Sequence, residues 1–237
     1  MFETLRTLRA VLRSLRIYYG DRARARAMDE LYRRFVKPGD LVFDIGAHVG
    51  DRIAAFRRLG ARVVAAEPQP AFARLLRLMY ARDGGVAIRQ TAVGRAGGTI
   101  DLMLNLDNPT VSTASCAFVQ SARGAPGWER ESWSRSIRVP VTTLDALIDE
   151  FGLPAFIKLD IEGFEAEALA GLSRPVAALS FEFTTIQRAV ALACVERCVA
   201  LGLARFNAAL GESQRFVHPD WIDGATIARW LAGLPHE

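Results

Sequence analysis

The chain has 237 residues, 51% of them hydrophobic and 24% charged, which are ordinary values for one globular domain with a single core. No apolar run approaches the roughly 20 residues that a membrane-spanning helix needs. Regularly spaced arginines near the N-terminus argue against a secretory signal. The three cysteines have no metal-ligand spacing, so we expect a reducing, cytoplasmic location.

The net charge is +4 and is unevenly distributed, with nine arginines against four acidic residues in residues 1–36. Leu5, Leu8, Val11, Leu12 and Leu15 fall on one helical face, and the arginines lie mostly elsewhere. The pattern predicts a basic amphipathic helical extension over residues 1–37, followed by the main domain over 38–237. We favour a helix packed on the domain with its arginines outward. Peripheral membrane contact stays open as an alternative, and nucleic acid is not expected because no aromatic residues interleave with the arginines.

The first predicted strand, Leu41 to Asp44, runs directly into a glycine-containing loop. Gly46 and Gly50 occupy this loop, and apolar residues at helical spacing follow over residues 51–59. A strand, a glycine loop and a helix in this order form a unit that commonly holds a nucleoside-bearing cofactor. The glycines allow a sharp turn and a close approach of a ligand to the main chain.

The second predicted strand, residues 61–66, ends in Glu67 and Pro68. A carboxylate at this strand tip can accept hydrogen bonds from both hydroxyls of a ribose. The combination of the glycine loop and Glu67 therefore predicts an adenosine-type cofactor.

Helix 70–82 and strand 86–92 continue the alternation of strands and helices, which indicates a doubly wound, mostly parallel α/β sheet. Two β segments follow, over 98–106 and 136–142. The polar stretch between them, residues 105–135, contains Trp128 and Trp133 and is long for a loop in a compact domain. We interpret it as a lid or substrate wall.

The last part of the chain repeats the strand and helix alternation. Its apolar patterns predict helix 144–151, strand 155–160, helix 164–172, strand 177–183, helix 187–201, β segments 204–210 and 215–219, and helix 225–232.

The octet from Lys158 to Glu165 is the most unusual in the chain. Lys158 and Asp160 point to the same side of a strand and are costly to bury unless they are paired or functional. Because ligands bind beyond the carboxyl ends of parallel strands, we expect four acids at one sheet edge, namely Asp44, Glu67, Asp160 and Glu182. A structural ion pair explains Lys158 and Asp160 equally well, and Glu162 could simply complement a helix dipole.

Five segments together resemble the FkbM family of S-adenosylmethionine-dependent methyltransferases: DIGAHVG, AAEPQP, TAVG, VTTLDAL and IKLDIEGFEAEALAG. The resemblance extends from about Val42 to Glu182. It implies a class I, Rossmann-like methyltransferase fold and methyl transfer, typically to oxygen on sugars or natural products. His48 stands where the family usually has asparagine, and residues 77–83 lack the family's asparagine pair.

The resemblance implies S-adenosyl-L-methionine as the cofactor. Glu67 then takes the ribose hydroxyls, and Asp44 organises the loop and the methionine ammonium. The remaining predicted cofactor contacts are Gly46, Ala47, His48, Gly50, Pro68, Ala92 and Val93, of which Ala92 and Val93 flank the adenine.

For a hydroxyl acceptor, Asp160 is the first candidate for the general base and Glu182 the second. Lys158 holds Asp160 ionised, Glu162 shapes the acceptor pocket, and the two tryptophans form its wall. Asp160 and Glu162 offer oxygen ligands for Mg²⁺, but the sequence gives no full ligand set, so no metal is predicted.

The sequence leaves two alternative functions. An NAD-linked oxidoreductase shares the acidic strand tip but should have a three-glycine fingerprint, which this chain lacks. A non-catalytic interaction protein could retain the cofactor fold. We expect a small-molecule or saccharide acceptor, and the sequence leaves the oligomeric state open.

Overall fold

A computed structural model describes residues 2–235, with only the backbone described for residues 2–8 and 10. Leu5 and Leu8 of the predicted apolar face therefore lie outside the described side chains. The elements in chain order are α1 (Phe2–Gly20), α2 (Arg22–Tyr32), β1 (Leu41–Ile45), α3 (Asp51–Arg58), β2 (Arg62–Ala66), α4 (Pro70–Met79), β3 (Val86–Arg89), β4 (Ala92–Val93), β5 (Gly98–Leu104), α5 (Cys116–Ala122), β6 (Arg135–Thr142), α6 (Leu144–Phe151), β7 (Phe156–Leu159), α7 (Glu165–Ala170), β8 (Leu179–Phe181), α8 (Arg188–Ala200) and α9 (Gly224–Gly233).

The main sheet has five parallel strands in the order β3-β2-β1-β7-β8. Val42 and Val63 face a core cluster with residues of α2 and α3, whereas Phe43 and Val64 face a second cluster with residues of α6, α7 and α8. Helices thus cover both faces, which explains why these strands read as continuous apolar runs. The predicted α/β fold class is confirmed.

A second sheet has the order β4-β6-β5, with β5 antiparallel to β6 and β4 parallel to it. The predicted strand 86–92 is wrong as one element, because its two ends belong to different sheets. Val86–Arg89 pairs with β2, and Ala92–Val93 pairs with β6. At the break, the Thr91 hydroxyl donates to the Pro140 carbonyl of β6 at 3.0 Å, immediately before the residues that pair with β6.

The predicted β segments 204–210 and 215–219 form only isolated bridges, Phe206 with Ile222 and Ala209 with Phe216. Between the bridges, the side-chain amide of Asn207 donates to the His218 carbonyl and its oxygen accepts from the His218 N–H. A side chain thus takes the place of ladder hydrogen bonds, which prevents a regular hairpin.

The segment 105–135 is folded and contributes to the core. It contains a short 3₁₀ turn over Pro109–Val111 and α5, which the sequence analysis did not predict. Phe118 of α5 is fully buried, and the rings of Trp128 and Trp133 meet it edge-on. Trp133 also donates its indole N–H to the Val111 carbonyl at 2.8 Å.

The N-terminal helix α1 packs on the domain. Val11, Leu15 and Tyr18 of α1 meet Val49 and Phe72, which is the packing favoured from the sequence. The next helix, α2, places buried side chains in the main core. Residues before 38 therefore supply part of that core. Among the described residues, no helix is both long and apolar enough to cross a membrane.

Replacing Phe118 with alanine should lower the free energy of unfolding by about 3–5 kcal/mol, because a fully buried ring is lost and a cavity remains. Urea denaturation measures this change. Gln120→Ala is the matched control, since Gln120 lies on the exposed side of the same helix. An equal, small effect of both variants would contradict the role of segment 105–135 in the core.

Candidate active site

A cleft with about 910 Å³ of empty space lies at the carboxyl ends of β1, β2 and β7. Its walls come from the loop after β1, the tip of β2, residues 91–93, residues 109–114 and the octet that begins in β7. Tyr18 of α1 and Glu212 of the C-terminal region also line it, although they lie far apart in sequence.

The glycines of the loop after β1 are required by chain packing. Gly46 has φ +80°, and a Cβ there would lie 1.8 Å from the Asp160 carbonyl oxygen. Gly50 has φ +82°, and a Cβ there would lie 2.7 Å from Leu76. Gly46 therefore lets the loop lie against the backbone of the octet. Gly50 directly precedes α3 and is not among the residues that line the cleft.

Lys158 is a buried cation beneath this loop. Its Nζ lies 3.1 Å from Asp44 and 3.3 Å from Asp160, and donates to the Gly46 carbonyl at 2.8 Å. Asp44 and Lys158 are direct partners in the β1–β7 register, so their side chains meet on one face of the sheet. Burial lowers the pKa of Lys158, but Asp160 and Asp44 outweigh it and the net shift is upward.

Asp44 lies under the cleft wall and not in its lining. Its side chain is fully buried, and this burial raises its pKa even though Lys158 opposes the shift. The predicted contact of Asp44 with a methionine ammonium stays a prediction. Its visible role is to hold Lys158, which in turn holds the loop.

Glu67 lines the cleft at the tip of β2 and is 2% exposed. One carboxylate oxygen accepts the His48 N–H and the other accepts the Gln69 N–H, both at 2.8 Å. Burial raises the pKa of Glu67 to about 7, against the lowering effect of these two hydrogen bonds. The carboxylate is thus fixed in orientation, with lone pairs left for a ligand.

His48 lines the same part of the cleft. Its backbone has φ +47°, and its ring lies between Tyr18 and Phe72. Burial lowers the pKa of His48 to about 4, so the imidazole is neutral at neutral pH. Its Nε2 is buried and has no hydrogen-bond partner among the described residues.

The other predicted cofactor contacts also meet in the cleft. Ala92 and Val93 are buried and line it together with Leu102, which forms an apolar wall. Ala47 and Pro68 line it near Glu67. An apolar wall beside a fixed carboxylate suits a nucleoside, whose base is flat and whose sugar is polar.

Three carboxylates gather in the cleft where β7 and β8 end, on the other side of β1 from Glu67. Oxygens of Asp160, Glu162 and Glu182 all lie within 4.8 Å of one another. Thr113 donates to the Glu162 carbonyl at 2.6 Å, and Glu165 accepts the Ile161 N–H, so the loop that carries the cluster is held from both sides. Such oxygens could hold a divalent cation, although a shared proton between Asp160 and Glu182 satisfies the same geometry.

The two candidate bases have opposite pKa shifts. Burial raises the pKa of Asp160, but Lys158 outweighs it and, with a hydrogen bond from Glu182, lowers the value to about 2. Loss of water around its carboxyl raises the pKa of Glu182, and the charge of Asp160 adds to the shift. The pKa of Glu162 is also raised, by burial and by the charge of Asp160. Asp160 is therefore ionised beside Lys158, and which of the two acids accepts the proton of an acceptor stays a prediction.

Trp128 and Trp133 are not among the residues that line the cleft, because their rings are used against Phe118. The same segment contributes smaller side chains to the wall instead, namely Thr110, Ser112 and Ala114. Sequence reasoning also missed Tyr18 and Glu212. No local motif marks these residues, since distant chain segments bring them to the cleft.

The comparison with known proteins agrees with this geometry. Residues 44–192 match the family described as the Methyltransferase FkbM domain, which is more than half of the chain. No curated protein matches the chain significantly. The matched segment contains the glycine loop, Glu67 and the octet after β7, and the chain belongs to the FkbM methyltransferase family.

Proposed function

We propose that the protein transfers a methyl group from S-adenosyl-L-methionine to a hydroxyl of a small molecule or saccharide. The observation that carries the proposal is one cleft that holds two sets of residues. Glu67 follows β2, whereas Asp160, Glu162 and Glu182 follow β7 and β8 on the other side of β1. We call the Glu67 side the first end and the side with the three acids the second end. The first end suits a nucleoside, and the second suits a hydroxyl that must lose a proton.

The residues at the first end fit the cofactor. Glu67 would accept hydrogen bonds from both ribose hydroxyls, Ala92 and Val93 would flank the adenine, and His48 would lie against the cofactor beside Glu67. When bound, S-adenosyl-L-methionine supplies a methyl group already activated by its positively charged sulfur. The protein's task is then to hold the acceptor in line at close range.

The residues at the second end handle the acceptor. Glu182 would accept the proton of the acceptor hydroxyl, because its raised pKa makes it the stronger base of the pair. Asp160 stays ionised beside Lys158, and its negative charge maintains the basicity of Glu182. Lys158 itself supports the loop from below and does not need to touch the acceptor.

The polar lining of the cleft favours an acceptor with several hydroxyl groups. Thr110, Ser112 and Glu162 contribute hydroxyl and carboxylate oxygens to it. Such oxygens accept hydrogen bonds from the hydroxyls of a sugar. A saccharide or a hydroxylated natural product is therefore the acceptor class that the lining supports.

We expect one acceptor in a mixed pool of saccharides and hydroxylated natural products to gain the mass of a single methyl group. The measurement is mass spectrometry after incubation with a cofactor labelled in its methyl group. Calorimetry compares the binding of S-adenosyl-L-methionine with the binding of NAD. Binding of NAD with no binding of S-adenosyl-L-methionine would overturn the proposal.

Cofactor binding should release protons at about pH 6 and few or none at about pH 8.5. Glu67 has a raised pKa of about 7, and ribose hydroxyls favour its ionised form, so a carboxyl protonated below that pH must lose its proton on binding. Calorimetry in buffers of different ionisation enthalpy measures the release. Glu129→Gln, at an exposed acid outside the cleft, should leave it unchanged.

Glu67→Gln should abolish this release and weaken cofactor binding by about 2–4 kcal/mol. Because Glu67 also holds the loop, a deoxyribose analogue of the cofactor separates the two effects. The wild-type protein should bind the analogue more weakly than the cofactor, whereas the variant should bind both alike. Equal discrimination by both proteins would remove Glu67 from the ribose contact.

The turnover rate should rise with pH through an apparent pKa above the usual glutamate range, because protonated Glu182 cannot act as the base. Glu182→Gln should lower turnover about a hundred- to ten-thousand-fold and remove this pH dependence. Asp160→Asn should shift the rise to lower pH with a smaller loss, since removal of a neighbouring negative charge lowers the pKa of Glu182.

Pre-steady-state measurement of methyl transfer across the pH range tests both variants, and Glu196→Gln on the exposed side of α8 is the control. If Asp160→Asn abolishes turnover at all pH values while Glu182→Gln keeps the wild-type profile, Asp160 is the base. The calorimetric assay of cofactor binding shows that each variant is folded.

A further inference from the structure

The outward faces of α1 and α4 combine exposed apolar side chains with arginines. Leu12 and Ile17 of α1 are 57% and 54% exposed, and Leu78 and Met79 of α4 are 73% and 42% exposed. The arginines on these faces are also exposed, and we call the whole set the α1–α4 face: Arg9, Leu12, Arg13, Arg16, Ile17, Arg74, Arg77, Leu78, Met79 and Arg82.

The two helices lie side by side, so their outward faces are continuous. Val11 and Leu15 of α1 share a buried cluster with Phe72 and Leu75 of α4. The ends of the helices also approach each other, because Tyr19 and Tyr80 bond to the carbonyls of Val49 and Gly50, which are neighbours in the chain.

The charge of this face has a single sign. Residues 9–20 and 70–82 contain no aspartate or glutamate. Within the described part of the chain, none of the six arginines forms an ion pair, whereas Arg57 and Arg58 of the neighbouring helix α3 are paired with Asp83 and Asp29. An unneutralised basic face with protruding apolar side chains is complementary to one kind of surface, in which negative charges lie above hydrocarbon.

We propose that the α1–α4 face docks the protein on an anionic lipid bilayer. The arginines contact lipid headgroups, and Leu12, Ile17, Leu78 and Met79 enter the boundary between headgroups and acyl chains. This contact lies beside the cleft, since Tyr18 at the end of α1 and Gln69 before α4 both line it. The bilayer contact is separate from the methyl-transfer chemistry and can be tested without an acceptor.

Sedimentation of the full chain with vesicles tests the proposal. We expect binding to vesicles of phosphatidylglycerol mixed with phosphatidylcholine, and little binding to phosphatidylcholine alone. Arg13→Glu combined with Arg77→Glu should weaken partitioning by at least about twentyfold, since each arginine near an anionic surface is worth roughly a fivefold change. Leu12→Ser combined with Leu78→Ser should weaken it by about tenfold or more.

A matched control changes the same residue types elsewhere. Val199 is 50% exposed on α8 and Arg229 is exposed on α9, so Val199→Ser combined with Arg229→Glu should leave partitioning unchanged. Thermal unfolding and cofactor calorimetry establish that every variant is folded, independently of vesicle binding.

Three results would overturn the proposal. The first is no binding to anionic vesicles, and the second is an equal loss in the control variant. The third is a concentration-dependent dimer, seen by light scattering, that the Leu12 and Leu78 substitutions disrupt while vesicles are not bound. In that case a second copy of the chain covers the face.

Discussion

The site depends on one buried cation, Lys158, between two carboxylates. Its Nζ meets Asp44 and Asp160 and donates to the Gly46 carbonyl, so one ammonium on β7 joins β1, the glycine loop and the loop that follows β7. A buried ion pair adds little net stability, but loss of one partner leaves an uncompensated buried charge and typically costs about 3–5 kcal/mol. The position of the glycine loop relative to the cluster of Asp160, Glu162 and Glu182 is therefore held by electrostatics as well as by packing.

The same cation separates the properties of the acids around it. Asp160 is in contact with Lys158 and its pKa falls to about 2. Glu182 is near Asp160, has no cationic partner among the described residues, and its pKa rises. Neighbouring titratable groups whose environments push their pKa values apart are typical of acid–base sites. In the proposed mechanism the ionised Asp160 makes Glu182 the better proton acceptor, so the structural pair and the catalytic group would be different residues.

Much of the fold was predictable because both faces of the main sheet are buried. Strands β1, β2 and β7 read as apolar runs that end in an acid or a small-residue turn, and the helices between them have clear periodicity. The division of strand 86–92 between two sheets was not predictable, because hydrogen-bond partners are chosen in three dimensions. The tryptophans of segment 105–135 were expected at the acceptor, but their rings pack against Phe118, a residue of the same segment.

The sequence by itself determined the fold class, the family and the approach of Glu67 and Asp160 to one sheet edge, since strand direction follows from the alternation of strands and helices. Only the tertiary structure decided which charges meet. The β1–β7 register brings Asp44 to Lys158, although 113 positions separate them in the chain, and the loop after β8 brings Glu182 to Asp160. The pKa of each carboxyl depends on these distances and on burial, and neither quantity is written in a local motif.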